Sequence, residues 1–332
     1  MTGSPRILVI GANGQLGTEL SAALANRYGA DNVVGSDRLD VGRYANVRYE
    51  MLDATDVGQL TQVVEKHHIT QIYHLAAALS ATGETAPEWA WRLNMGSLLN
   101  VLEVARHRKL DKVFWPSSIA AFGPTTPAEA TPQRTVMEPS TIYGISKLAG
   151  EGWCRWYYEN HGVDVRGLRY PGLISYKVSP GGGTTDYAID IFHAALRGER
   201  YTCFLAEDEP LPMLYMDDAV RGTLELMEAP ATAITERGSY NLAGVSFTPR
   251  EIAQEIRKHL PDFEIAYEPD FRQEIASGWP DSIDDSCARR DWDWAPRYDL
   301  SATVRDMLKN LSSMSMPGAE LGVANGEQVA AN

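Results

Sequence analysis

Tyr143 and Lys147 stand four residues apart in Tyr143-Gly144-Ile145-Ser146-Lys147. At about 100° per residue, such a pair shares one face of a helix, so a phenol and an ammonium point the same way. A cation beside a phenol favours the phenolate and lowers a pKa that starts at about 10, which makes a tyrosine a usable base near neutral pH. Ser118, in Pro116-Ser117-Ser118, offers a hydroxyl that can hydrogen-bond a reacting substrate oxygen. A third group is Gly11-Ala12-Asn13-Gly14-Gln15-Leu16-Gly17. Its first glycine suits a tight turn, its second lets a pyrophosphate approach the backbone, and its third lets a helix pack closely on a strand. Asp37 follows Gly17 by 20 positions, where an acid takes the ribose hydroxyls of a dinucleotide. Its charge repels a 2′-phosphate and favours NAD over NADP; the adjacent Arg38 weakens that preference. Taken singly, these are a turn, a surface pair and strand-end serines. In this order on one chain they point to a dinucleotide cofactor and a positioned base.

The elements that must position these groups alternate along the chain. Arg6–Ile10, Asn32–Ser36, Val47–Met51, Gln71–Leu75, Lys112–Pro116 and Val163–Tyr170 read as short strands. Gln15–Tyr28, Asp56–His67, Glu88–His107 and Thr141–His161 have helical spacing of apolar residues. Such alternation predicts an α/β fold, a doubly wound parallel sheet of Rossmann type, with the reactive groups at the carboxyl ends of its strands. After Tyr170 the alternation fails. Asp186–Arg197, Asp217–Glu228 and Thr248–His259 are helical segments among irregular pieces, as expected for a smaller C-terminal substrate lobe. The expected division gives 1–172 plus about 213–245 to the dinucleotide domain and about 173–212 and 246–311 to the lobe. Residues 312–332, rich in Ser, Gly, Ala and Asn, read as a disordered tail.

Thirty Lys and Arg against forty-four Asp and Glu give the 332-residue chain a net charge of −14. That surface repels phosphate backbones and anionic headgroups, so neither nucleic acid nor a membrane is an expected partner. No apolar run reaches the roughly 18 residues of a membrane span. Cys154, Cys203 and Cys287 make neither a CxxC pair nor a zinc-ligand spacing, so no metal site is expected and a reducing cytoplasm is the simplest location.

The glycine motif, Asp37, Ser118 and the Tyr143/Lys147 pair together resemble the short-chain dehydrogenase/reductase superfamily, and the chain length resembles its extended branch of epimerases and dehydratases. The resemblance implies that Gly11, Asn13, Gly14, Gln15, Leu16 and Gly17 hold the pyrophosphate. It places Asp37, Arg38, Leu52 and Asp53 at the adenosine end. It adds Leu75, Ala76, Ala77, Asn94, Tyr170 and Leu173 to the cofactor-binding residues, with Lys147 also on the nicotinamide ribose. Members acting on nucleotide sugars carry an Asn and an Arg where this chain has Gly172 and Leu211. A diphosphate would lose charge-assisted donors worth about 1.5–3 kcal/mol each, which favours a smaller ligand. Arg169-Tyr170-Pro171-Gly172-Leu173-Ile174-Ser175-Tyr176, Pro180-Gly181-Gly182-Gly183-Thr184-Thr185-Asp186-Tyr187, Leu211-Pro212-Met213 and Ser277-Gly278-Trp279-Pro280 are similar to the short-chain type of L-threonine 3-dehydrogenase. That implies NAD-dependent oxidation of L-threonine to 2-amino-3-oxobutyrate, with Tyr143 as base and Ser118 and Lys147 assisting. Ser80, Ser118, Tyr143, Thr184, Thr185 and Trp279 are then the expected substrate contacts, and a homodimer is implied. The competing expectation is a nucleotide-sugar epimerase or dehydratase with tightly bound NAD.

Overall fold

Every residue of Ile7–Ile10 is buried, as in a strand covered on both faces. In the computed structural model, which describes residues 4–42, 46–178 and 181–314, this strand lies inside a six-stranded, all-parallel sheet. Its order is Arg48–Met51, Val33–Asp37, Ile7–Ile10, Gln71–His74, Lys112–Phe114, Val165–Arg166. The chain reverses its direction of travel across the sheet between Ile7–Ile10 and Gln71–His74, so the crevice for a ligand opens at their carboxyl ends. The fold is α/β and doubly wound. Ile7 and Val9 join an apolar cluster with Leu20, Leu24, Leu226 and Met227, while Leu8 and Ile10 join one with Leu60, Val64, Leu98 and Val101. Alternate residues of one strand therefore serve the two helical layers.

Two features of the sheet bear on the reactive groups. The segment read as one strand over 163–170 is two, Val165–Arg166 and Leu168–Tyr170. They part at Gly167, where a Cβ would lie 2.4 Å from Ser239 Oγ and 2.7 Å from Trp115 O. Beyond that break Ser117–Ser118 pairs in parallel with Leu168–Tyr170, which takes Tyr240–Asn241 on its other side. The extended backbone thus carries Ser118 past the end of the main sheet. The second feature is the segment expected as one helix over 88–107. It is Pro87–Trp91, a π-helical turn over Arg92–Gly96, and Ser97–Arg108. Within the wide turn, Asn94 Oδ1 accepts from the Ala78 N–H at 2.8 Å and Nδ2 donates to Ser146 Oγ at 3.1 Å. Turns of this kind gather at functional sites.

Gly172–Ile174, Leu211–Tyr215 and Val245–Phe247 form a small mixed sheet, and Tyr201–Cys203 pairs with Ile265–Tyr267. Leu211, Met213 and Tyr215 enter a separate apolar cluster with Ile189, Phe192, Phe247 and Met307, whereas Leu214 enters the cluster under the main sheet. This strand runs through the expected boundary at 212/213 and joins the two cores. Helix Leu300–Met314 also corrects the expected tail at its start. Ser312 and Ser313 are helical, donating to Leu308 O at 2.7 Å and Lys309 O at 2.9 Å, and Leu311 is buried. Residues 315–332 of that expected tail lie outside the described residues.

Gly17 sets the distance between the first helix and the first strand. A Cβ there would stand 2.1 Å from Gly11 O and 2.9 Å from Ala12 Cα, both backbone atoms. Gly17→Ala should therefore lower stability by about 1–3 kcal/mol, as overpacking does. Urea unfolding measures this; an unshifted midpoint would mean that the contact yields without cost.

Candidate active site

The crevice at the switch point is a cleft of about 280 Å³. On one wall, Gly11 has φ +84°, and a Cβ on it would lie 2.7 Å from Ala76 N, so the turn presses flat against the next loop. Helix Gln15–Tyr28 starts at Gly14 with no side-chain cap, which leaves its first N–H groups for an anion. Gln15 Nε2 is buried without a hydrogen-bond partner among the described residues. A backbone cradle closed to side chains, an uncapped helix start and an orphaned donor fit the pyrophosphate of a dinucleotide. Farther along the sheet edge, Asp37 accepts from the Arg38 N–H at 2.8 Å and the Asn13 N–H at 3.4 Å. The Leu52 N–H donates to Asp37 O at 2.8 Å, which brings Leu52 and Asp53 alongside. Asp53 accepts from Thr55 N and Oγ1 at 2.9 and 2.7 Å.

The other wall carries the reactive groups. Helix Ile142–His161 is capped by Thr141, which accepts from the Gly144 N–H at 3.0 Å, and by Glu84, which accepts from the Ile142 N–H at 2.7 Å. A Cβ on Gly144 would stand 2.0 Å from Ala120 O. Only glycine lets this helix start so close to the Ile119–Ala121 turn, and the approach sets Tyr143 in hydrogen-bond contact with Ser118. Lys147 is 3% exposed. Its Nζ donates to Pro116 O at 2.6 Å and sits 4.6 Å from the Trp115 ring and 5.4 Å from the Tyr143 ring. One turn on, buried Glu151 pairs with Arg169 at 2.7 Å and accepts from Ser117 Oγ at 2.6 Å.

Burial governs the protonation of both groups. It pushes the Tyr143 phenol up to about 12, opposed by its hydrogen bond with Ser118. It pushes the Lys147 ammonium down to about 7, opposed by Cys154 and Glu151. The expected phenolate beside an ammonium is therefore not the resting state of the chain alone. The ammonium lies over the aromatic rings and points its proton at a carbonyl, so desolvation outweighs the attraction.

Of the residues expected from sequence, Gly11, Gly14, Gln15, Leu16, Gly17, Leu75, Ala77, Ser80, Ser118, Tyr143, Lys147, Tyr170, Leu173, Thr184, Thr185 and Trp279 line this one cleft. Asn13, Asp37, Arg38, Leu52, Asp53, Ala76 and Asn94 stand outside that lining. Asn94 instead ties the loop at Ala78 to the Tyr143 helix. Ser80 and Thr184, both buried, place their hydroxyls 3.5 Å apart. Sequence reasoning missed Asp186, which also lines the cleft; its signal was a carboxylate directly after the glycine tract and Thr185. It also missed Gly144 and Glu84, whose parts depend on contacts distant in sequence. Gly172 has no room for a side chain: a Cβ would lie 2.3 Å from Met213 Sδ and 2.8 Å from Thr185 Cβ. Leu211 is fully buried. Among the described residues no His/Cys/Asp/Glu group could hold a metal ion, and no helix is long and apolar enough to cross a membrane.

Residues 7–243 match the NAD dependent epimerase/dehydratase family, and the chain belongs to that family. An uncharacterized epimerase/dehydratase of Staphylococcus saprophyticus is 46% identical over 91% of this chain and 96% of its own length. Among solved structures, a GalE-like L-threonine dehydrogenase from Cupriavidus necator in its holo form is 69% identical, with a TM-score of 0.92 over 92% of this chain and all of that one. L-threonine dehydrogenase from Clostridium difficile is 44% identical, with a TM-score of 0.91 over 94% and 99% of the two chains. The fold and a nicotinamide dinucleotide cofactor follow from these matches together with the cradle.

The lowered Lys147 pKa has a consequence for stability. Its folded value lies below the unfolded one, so between about pH 7 and 10.5 the unfolded chain binds more protons and stability rises with pH. Relative to Lys147→Met, the cofactor-free protein should gain up to about 1.4 kcal/mol per pH unit above pH 7. Urea unfolding at several pH values reads the difference; a flat difference would place the ammonium in water.

Proposed function

We propose that this family member oxidises L-threonine at its side-chain hydroxyl with NAD, giving 2-amino-3-oxobutyrate without a metal. The observation that carries this reading is the joining of Ser118, Tyr143 and Lys147 on one wall of a cleft whose other wall is the glycine cradle. Two solved relatives named L-threonine dehydrogenases support the substrate. The filled positions at Gly172 and Leu211 leave no place for the Asn and Arg anchors of a sugar diphosphate, which disfavours the epimerase alternative.

In this reading Gly11, Gly14, Gln15, Leu16 and Gly17 hold the pyrophosphate, and Asp37 holds the adenosine ribose. Lys147 holds the nicotinamide ribose. When bound, NAD supplies the acceptor for the hydride that leaves the substrate's β-carbon. Ser118 and Tyr143 bracket the substrate hydroxyl, and Tyr143 takes its proton. Lys147, when charged, stabilises the phenolate form of Tyr143, and Ser118 holds the oxygen as it becomes a carbonyl. Ser80, Thr184 and Thr185 offer hydroxyls to the carboxylate, and Trp279 covers the methyl group. The product is a β-keto acid, which loses carbon dioxide to aminoacetone or is cleaved towards glycine, so the reaction belongs to threonine breakdown. The lobe carrying Thr184 and Thr185 closes over the substrate. Three cysteines with free thiols suit a reducing cytoplasm.

Absorbance at the NADH band, followed with NAD and L-threonine, should rise in the presence of a chelator. Tyr143→Phe should lose about 10²–10⁴-fold in turnover while binding NAD normally, and Asp37→Ala should lower the NAD-to-NADP efficiency ratio about tenfold. Near-normal turnover of Tyr143→Phe would remove it as the base.

Trp89, Trp91, Ile145, Trp153 and Trp156 are each 39–44% exposed on Pro87–Trp91 and Ile142–His161. We assign this aromatic face to a homodimer interface, since solvated tryptophans in such a cluster mark association surfaces. Sedimentation should give a dimer, and Trp153→Glu with Trp156→Glu should give a monomer. A monomeric parent protein would exclude the assignment.

A further inference from the structure

Among the described residues, those lining the cleft include one cation and one carboxylate, Lys147 and Asp186. Lys147 is accounted for by the tyrosine and the ribose. Asp186 has no part in the proton transfer, yet it follows Thr184 and Thr185 directly at the substrate end. Its Oδ2 accepts from the Gly182 N–H at 2.8 Å and the Gly183 N–H at 2.6 Å, which fixes the carboxylate in place. Its Oδ1 accepts from no donor among the described residues. Arg272, the nearest cationic influence, is committed to Asp270 at 2.6 Å and lies over the Phe204 ring at 3.2 Å. The carboxylate therefore stands half-buried in the cleft without an ion-pair partner among the described residues. Burial raises its pKa to about 6, opposed by the two glycine N–H groups and reinforced by Asp190. At neutral pH it is still ionised roughly ten to one, and an arriving ammonium would relieve the cost of its desolvation.

We infer that Asp186 receives the ammonium group of the substrate and thereby makes the site select β-hydroxy amino acids over the same hydroxy acids without the amine. This rests on the reading that the site oxidises L-threonine. It divides the zwitterion between two anchors, with Asp186 taking the cationic end while Ser80 and Thr184 face the carboxylate. A site built around a buried polar partner rejects an analogue that lacks the matching group more strongly than a site built on shape alone.

The test is Asp186→Asn, which keeps an oxygen for the glycine N–H groups and removes the charge. L-Threonine is compared with 3-hydroxybutyrate of matching configuration, and NAD affinity reports that the fold is intact. The variant should lose about 100-fold in kcat/KM for L-threonine, mainly through KM, and under about threefold for 3-hydroxybutyrate. In parallel, binding of L-2-aminobutyrate and of butyrate to the NAD complex is measured by calorimetry. The variant should lose the preference for the amine and leave butyrate unchanged. Equal losses on both members of each pair, or no loss, would overturn the inference and make Asp186 a loop-holding residue. Failure of the parent enzyme to oxidise L-threonine would instead sink the proposed reaction, and the calorimetric pair would still decide whether Asp186 binds an ammonium.

Discussion

Desolvation of one phenol and one ammonium is the constraint on which the site depends. Lys147 is buried and Tyr143 half-buried at the cleft wall, and desolvation holds each towards its neutral form. In the cofactor-free chain burial therefore favours a neutral tyrosine and weakens the lysine's hold on its proton. A cation entering the cleft changes the balance, because it meets the phenol in a medium where opposite charges attract strongly. On the proposed function, activation of Tyr143 would thereby be tied to occupancy of the cofactor site.

The surrounding chain serves that burial through close backbone approaches. Gly144 brings the helix start against Ala120, and Gly150 lets the Trp115 ring pack within 2.3 Å of where a Cβ would be. Trp115 then forms part of the floor beneath Lys147. Arg169 and Glu151 neutralise each other next to that floor, with Asn241 and Gln133 completing the arginine's hydrogen bonds. Removing either member would leave an uncompensated charge beside the lysine, the kind of loss that buried pairs make expensive. The π-helical turn and Asn94 perform the same task from the opposite side, locking the Tyr143 helix to the loop that precedes Ser80.

Much of this was legible in the residues because it is local. Helix Gln15–Tyr28 has the expected bounds, since its apolar spacing and the glycine motif before it are sequence-near signals. Apart from the one broken at Gly167, the strands of the main sheet lie within about two residues of their expected positions. The parts that were not legible depend on distant partners. Gly167 ends one strand because Trp115 and Ser239 crowd it. Asn94 widens a helix because Ala78 and Ser146 claim its amide. Lys147 points at Pro116 rather than at the phenol oxygen, which spacing alone cannot tell. Asp186 was hidden in a tract read for its glycines and threonines.

The proposed function requires that Tyr143 stay a phenol until the cofactor is in place, and one titration tests this directly. The ultraviolet difference spectrum of parent protein minus Tyr143→Phe, taken from pH 6 to 11 without and with NAD, isolates the ionisation of this single tyrosine. The expected result is no phenolate signal below about pH 10 for the free protein, and a midpoint lower by at least about two units with NAD. A midpoint that stays put when NAD binds, or a phenolate already present at neutral pH in its absence, would contradict it.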